Sequence, residues 1–73
     1  MKNTALINSI KNSLNGENYK LRKPVNIRFN GNDVDVMESI VKDNGEWCLQ
    51  SKTWLLPLTE LTNRELIQVK KSM

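Results

Sequence analysis

A chain of 73 residues with a formal charge of +3, one cysteine and no histidine reads as a single small domain spanning residues 1–73. It lies near the lower limit at which a chain buries enough apolar surface to fold alone. The lone cysteine excludes an intrachain disulfide and every zinc-ligand spacing, and the missing histidine excludes Cys-His and Ser-His catalysis. No apolar run approaches the roughly eighteen residues of a membrane span, and Met1-Lys2-Asn3 opens no such run, so the expectation is a cytoplasmic protein without signal peptide or membrane contact.

From residue 3 to residue 14, Leu6, Ile7, Ile10 and Leu14 recur at helical spacing and form one apolar stripe. Asn3 or Thr4 is placed to cap the start, and Asn15-Gly16 supplies the left-handed residue that ends many helices. Residues 17–23 read as a connector without periodicity, holding Tyr19 and Leu21 and the basic run Lys20, Arg22 and Lys23. Pro24 suits the first position of an edge strand, because it has no N–H to donate.

Val25-Asn26-Ile27-Arg28-Phe29 alternates strictly and predicts a strand. Asn30-Gly31-Asn32-Asp33 predicts a hairpin turn, and a second strand runs over residues 34–42. Asn44-Gly45 predicts a type I′ turn, pairing Asp43 with Glu46, Val41 with Cys48 and Ile40 with Leu49. A third turn closed at Ser51-Lys52 pairs Leu49 with Trp54 and Trp47 with Leu56. Pro57 ends the sheet. Thr62-Asn63-Arg64-Glu65 is a capping box with Leu61 and Leu66 as its hydrophobic staple, and it opens a helix whose stripe is Leu66, Val69 and Met73.

These registers assign two faces. One collects Val25, Ile27, Phe29, Val34, Val36, Ile40, Trp47, Leu49, Trp54 and Leu56. The other collects Asn26, Arg28, Asp33, Asp35, Met37, Ser39, Val41, Asp43, Glu46, Cys48, Gln50, Thr53 and Leu55. The fold expected is therefore α+β: a four-stranded antiparallel β-meander with an N-terminal and a C-terminal helix packed on one face. A small SH3-like or OB-like barrel is the architectural alternative. Glu38 falls on the apolar face, and a bulge or bend at that point would turn it outward.

Little in the chain points to catalysis. Cys48 has no basic neighbour in this register and reads as a small packed residue. Arg28 faces Asp33 or Asp35 across the first hairpin, so an ion pair accounts for at least one acid of the Asp33, Asp35 and Glu38 group, and no metal is inferred. Each of the three glycines follows an asparagine and serves a turn or cap, which leaves no phosphate-cradling loop. No cofactor is implied.

Two surfaces remain. With both helices on the tryptophan face, Met37, Val41, Cys48 and Leu55 form an apolar strip on the other, the mark of a protein partner or a second copy of the chain. The second surface is electrostatic. Residues 1–28 carry Lys2, Lys11, Lys20, Arg22, Lys23 and Arg28 against Glu17, a net of +5, while residues 29–69 carry three cations against seven acids, a net of −4. Lys20, Arg22, Lys23 and Arg28 are the candidates for nucleic-acid phosphate contact. The leading expectation is a small non-enzymatic interaction module, a homodimer or accessory subunit, with nucleic-acid association as the alternative.

Overall fold

The computed structural model describes residues 4–29 and 33–73, with Phe29 and Asp33 described by their backbone alone. The first helix, α1 (Thr4–Leu14), buries Ile7, Ile10 and Leu14 on one stripe with Leu6 at its margin. It ends where Asn15 and Gly16 turn left-handed, at φ 54° and 76°, and the Glu17 amide closes the end on the Leu14 carbonyl at 3.1 Å. Asn3 as a cap lies outside the described residues, and Thr4 is already helical.

Four strands follow: β1 (Tyr19–Phe29), β2 (Asp33–Asp43), β3 (Glu46–Gln50) and β4 (Leu55–Pro57). They are hydrogen-bonded in the order β1-β2-β3-β4, each pair antiparallel. This is an open meander with β1 and β4 as its edges. The last helix, α2 (Asn63–Ser72), lies with α1 on one face, and their apolar stripes share a single buried cluster with Leu21, Val25, Ile27, Met37, Ile40 and Leu49.

The expected connector over residues 17–23 is in fact largely strand. Tyr19, Leu21, Val25 and Ile27 turn inward, while Lys20, Arg22, Asn26 and Arg28 lie exposed. The Tyr19 hydroxyl donates to the Met73 carbonyl and ties the start of β1 to the end of α2. The ladder to β2 breaks once, between Lys20 and Val25. Leu21, Arg22, Lys23 and Pro24 there oppose Glu38 alone, an irregularity that suits a proline with no amide to donate. The bend expected at Glu38 is present on β2 as well. Met37 and Ile40 are both fully buried in one cluster, with two residues between them rather than one, so the alternation of faces breaks there and leaves Glu38 half-buried.

The first hairpin departs from the expected register. Of the turn expected at Asn30-Gly31-Asn32-Asp33, the first three residues lie outside the described residues, but Phe29 pairs with Asp33, where a four-residue turn would have paired it with Val34. A slip of one residue exchanges the two faces of a strand. Met37 therefore turns inward opposite Val25 at 0% exposure, and Asp35 stands opposite Ile27, while Val34 and Val36 turn outward beside Arg28 and Asn26.

The second hairpin has the expected register throughout, from Asp43 with Glu46 to Ile40 with Leu49. Asn44 and Gly45 carry the paired positive φ values, 48° and 81°, of a type I′ turn. The third turn is two residues longer than expected: Leu49 pairs with Leu56 and Gln50 with Leu55. An even shift leaves Leu55 and Leu56 on their expected faces but moves Trp54 out of the ladder and into the loop. After a single 3-10 turn at Leu58–Glu60, Thr62 and Glu65 form the reciprocal capping box at 2.9 and 3.3 Å, with Leu61 and Leu66 both buried beside it.

Candidate functional site

With both helices on the inner face, no element among the described residues covers the outer face of the sheet. Along β1 it presents Lys20, Arg22, Asn26 and Arg28, all exposed. On β2 it presents Val34 and Val36, 51% and 44% exposed, and on β4 Leu55, 42% exposed. Val41 lies between them, half-buried, and beside it Cys48 is buried, with Val41 and Pro57 as its ladder neighbours. At the far end, Asp43 and Glu46 flank the type I′ turn.

Of the four residues expected to form the apolar strip, Val41 and Leu55 remain on this face with accessible surface. Met37 belongs to the core. Cys48 keeps its expected side but is too enclosed to offer a partner more than an edge. Val34 and Val36 take their place, residues that the four-residue turn had sent inward. Nothing local in the sequence separates the two registers, since Asn30-Gly31-Asn32-Asp33 accommodates a loop of either length.

The basic candidates divide. Lys20, Arg22 and Arg28 share the outer side of β1, whereas Lys23 lies at an inner position of the strand, against the end of α2. In the ladder Arg28 stands opposite Val34, where the expected four-residue turn set it opposite Asp35.

Asp35 is instead part of a polar knot that pins the third turn. Its carboxylate accepts from the Ser51 hydroxyl, from Thr53 Oγ1 at 3.2 Å and from the Val36 amide at 2.9 Å. Ser51 Oγ in turn accepts the amides of Thr53 and Trp54 at 3.1 and 2.8 Å, and the Ser51 amide closes the loop on the Trp54 carbonyl at 2.9 Å. The Ser51 hydroxyl holds the Asp35 carboxyl below the ordinary carboxylate range, with the Val36 amide and Thr53 acting in the same direction against partial desolvation.

The two tryptophans, expected as neighbours in the core, are separated. Trp47 packs at the margin of the core under the Lys42 ammonium, 5.6 Å from its ring centre. Trp54 is 52% exposed in the loop. Chemistry at Cys48 is disfavoured by its setting. Burial first, and then the charges of Asp43, Glu46 and Glu60, push the thiol pKa upward, which is the opposite of what a nucleophilic thiolate needs. Among the described residues no three His, Cys, Asp or Glu side chains gather as a metal site, and no helix is long and apolar enough to cross a membrane.

No protein-family model, no curated protein and no solved structure matches this chain.

Proposed function

We propose that the protein is a small non-enzymatic interaction module that docks through the uncovered face of its sheet, with a second copy of the chain as the first partner. The observation that carries this reading is the exposure of Val34, Val36 and Leu55 on the one sheet face that neither helix protects. Each of these side chains is about half covered already, so burying the rest would return about half of the roughly 1.5–3 kcal/mol that full burial is worth. The face is also self-complementary in charge. Lys20, Arg22 and Arg28 lie along its β1 edge, and Asp43 and Glu46 lie at its β2–β3 turn, so a two-fold stack sets the cations of each copy towards the acids of the other.

Area sets the expected strength. The strands hold thirty residues; at about 3.3 Å per residue and about 4.8 Å between strands they present roughly 480 Å² per copy, or roughly 950 Å² for a pair. That lies at the lower edge of specific interfaces, which bury about 1,000–1,200 Å² or more. The association expected is therefore weak and reversible. Sedimentation velocity from low micromolar to several hundred micromolar should show a mass that rises with concentration, and Val36→Lys should abolish the rise without unfolding the chain. A wild-type monomer across the whole range would end the self-association reading.

A second reading, contact with nucleic-acid phosphates, draws on Lys20, Arg22 and Arg28 sharing one side of an edge strand, with Trp54 supplying a partly exposed aromatic ring. Its test is binding of single- and double-stranded oligonucleotides across a salt series. The affinity should fall steeply with salt, and an absence of binding at low ionic strength would remove the reading.

A further inference from the structure

Between the β1 edge and the last turns of α2 lies a cleft of about 310 Å³, lined by Lys23, Pro24, Val25, Asn26, Gln68, Lys71 and Ser72. It lies along the β1 edge and shares Asn26 with the uncovered sheet face, but none of the side chains that carry the docking reading lines it. Its position follows from two features of the sequence. The irregularity over Leu21-Arg22-Lys23-Pro24 lifts Lys23 out of the regular ladder. The α2 stripe buries Leu66 and Val69 while Gln68, Lys71 and Ser72 turn towards the strand.

The lining is chemically one-sided. Lys23 and Lys71 bring two ammonium groups from different elements, Asn26 and Gln68 bring amide donors, Ser72 brings a hydroxyl, and among the described residues no carboxylate lines the cleft. Among the described residues neither lysine is paired with an acid. The neighbouring Lys70 behaves differently: its ammonium is spent on the Ser9 carbonyl and Ser13 Oγ at 3.3 and 2.8 Å, bridging α2 to α1. Lys71 alone would be accounted for by the negative pole at the end of α2. Lys23 is not, because it arrives from the sheet, and its presence beside Lys71 gives the lining of one cleft two like charges. An anion bound there would be countered by both charges, and Pro24 and Val25 offer an apolar wall to whatever the anion is attached to.

We infer that this cleft binds a phosphate group, held between Lys23 and Lys71 with Asn26, Gln68 and Ser72 as neutral donors. The phosphate can belong to a small phosphate ester or to a nucleic-acid backbone, and the experiment separates the two. Amide chemical shifts of the full chain are followed by NMR during titration with inorganic phosphate, with a nucleoside 5′-monophosphate and with a short single-stranded oligonucleotide, each against sodium chloride of equal ionic strength. Saturable shifts centred on Val25, Asn26, Gln68 and Ser72 are expected, with affinity falling about fivefold or more in Lys71→Gln and again in Lys23→Gln. Tighter binding of the mononucleotide assigns a small ester; tighter binding of the oligonucleotide, still weakened by Lys71→Gln, assigns a backbone phosphate. Both variants replace exposed side chains, and their unchanged spectra outside the cleft report that the fold is intact. Shifts that do not saturate, that chloride reproduces, or that Lys71→Gln leaves unaltered would overturn the inference.

Discussion

Replacing Ser51 with alanine removes the centre of the knot that holds the third turn. Ser51 is 9% exposed, and alanine there would remove the oxygen that accepts the Thr53 and Trp54 amides at 3.1 and 2.8 Å. Two neutral hydrogen bonds at about 1 kcal/mol each give a loss of about 2 kcal/mol. A domain of this size has roughly 4–11 kcal/mol in total, and each kcal/mol moves its Tm by about 4–8 °C. Thermal unfolding at neutral pH followed by circular dichroism should therefore show Tm lower by about 8–16 °C.

The same variant should also change the acid side of the stability profile. Because Ser51 lowers the folded pKa of Asp35, the carboxylate contributes stability above its unfolded pKa of about 3.9 and loses it as pH falls through the lower folded value. The gap between wild type and Ser51→Ala should narrow as pH drops from about 5 to about 3, and Asp35→Asn should flatten the same limb. A Tm within about 2 °C of wild type, or a gap that stays constant through the acid window, would refute the assignment of the turn to this knot.

Met37→Ala and Val36→Lys test the register of the first hairpin against each other. The fully buried Met37 should cost about 2–5 kcal/mol when truncated, whereas the exposed Val36 should accept lysine within about 0.5 kcal/mol. The reverse ranking in urea unfolding would restore the four-residue turn. Cys48, buried and with its thiol pKa pushed up, should react with a thiol reagent far more slowly in the native protein than in denaturant. Its raised pKa keeps the neutral thiol stabilising below the unfolded value of about 8.5, and that contribution is lost as pH rises from there towards the folded value. A Cys48→Ala variant should therefore show a flatter alkaline limb, and equal native and denatured labelling rates would contradict the enclosure of the thiol.

Much of this fold is legible in local sequence because the deciding interactions are local. The Thr62–Glu65 capping box, the left-handed Asn15-Gly16 end of α1 and the Asn44-Gly45 hairpin each depend on a few neighbouring residues whose backbone preferences leave one low-energy arrangement. The α1 stripe follows from spacing alone, and the α+β meander follows from the order of these elements. The uncovered face was only half legible. Val41 and Leu55 were assigned to it from the turns, but Val34, Val36 and Met37 depended on whether three or four residues span the first hairpin, and their chain neighbours tolerate either.

Tertiary packing decided that question. Val25 and Ile27 face the helices, and the three-residue connection sets Met37 and Asp35 opposite them. Asp35 is tolerated there only because a serine and a threonine sixteen and eighteen residues further along supply its donors. The bend between Met37 and Ile40 then returns β2 to the same core. Trp54, expected in the core, ends half-exposed in a loop that the same knot holds. Local sequence set the two helices, the four strands and their order, though not the start of β1 at Tyr19. Which side of β2 faces water was left to contacts between residues far apart in the chain, because a strand's two faces differ by a single residue of register and only long-range packing carries enough free energy to choose between them.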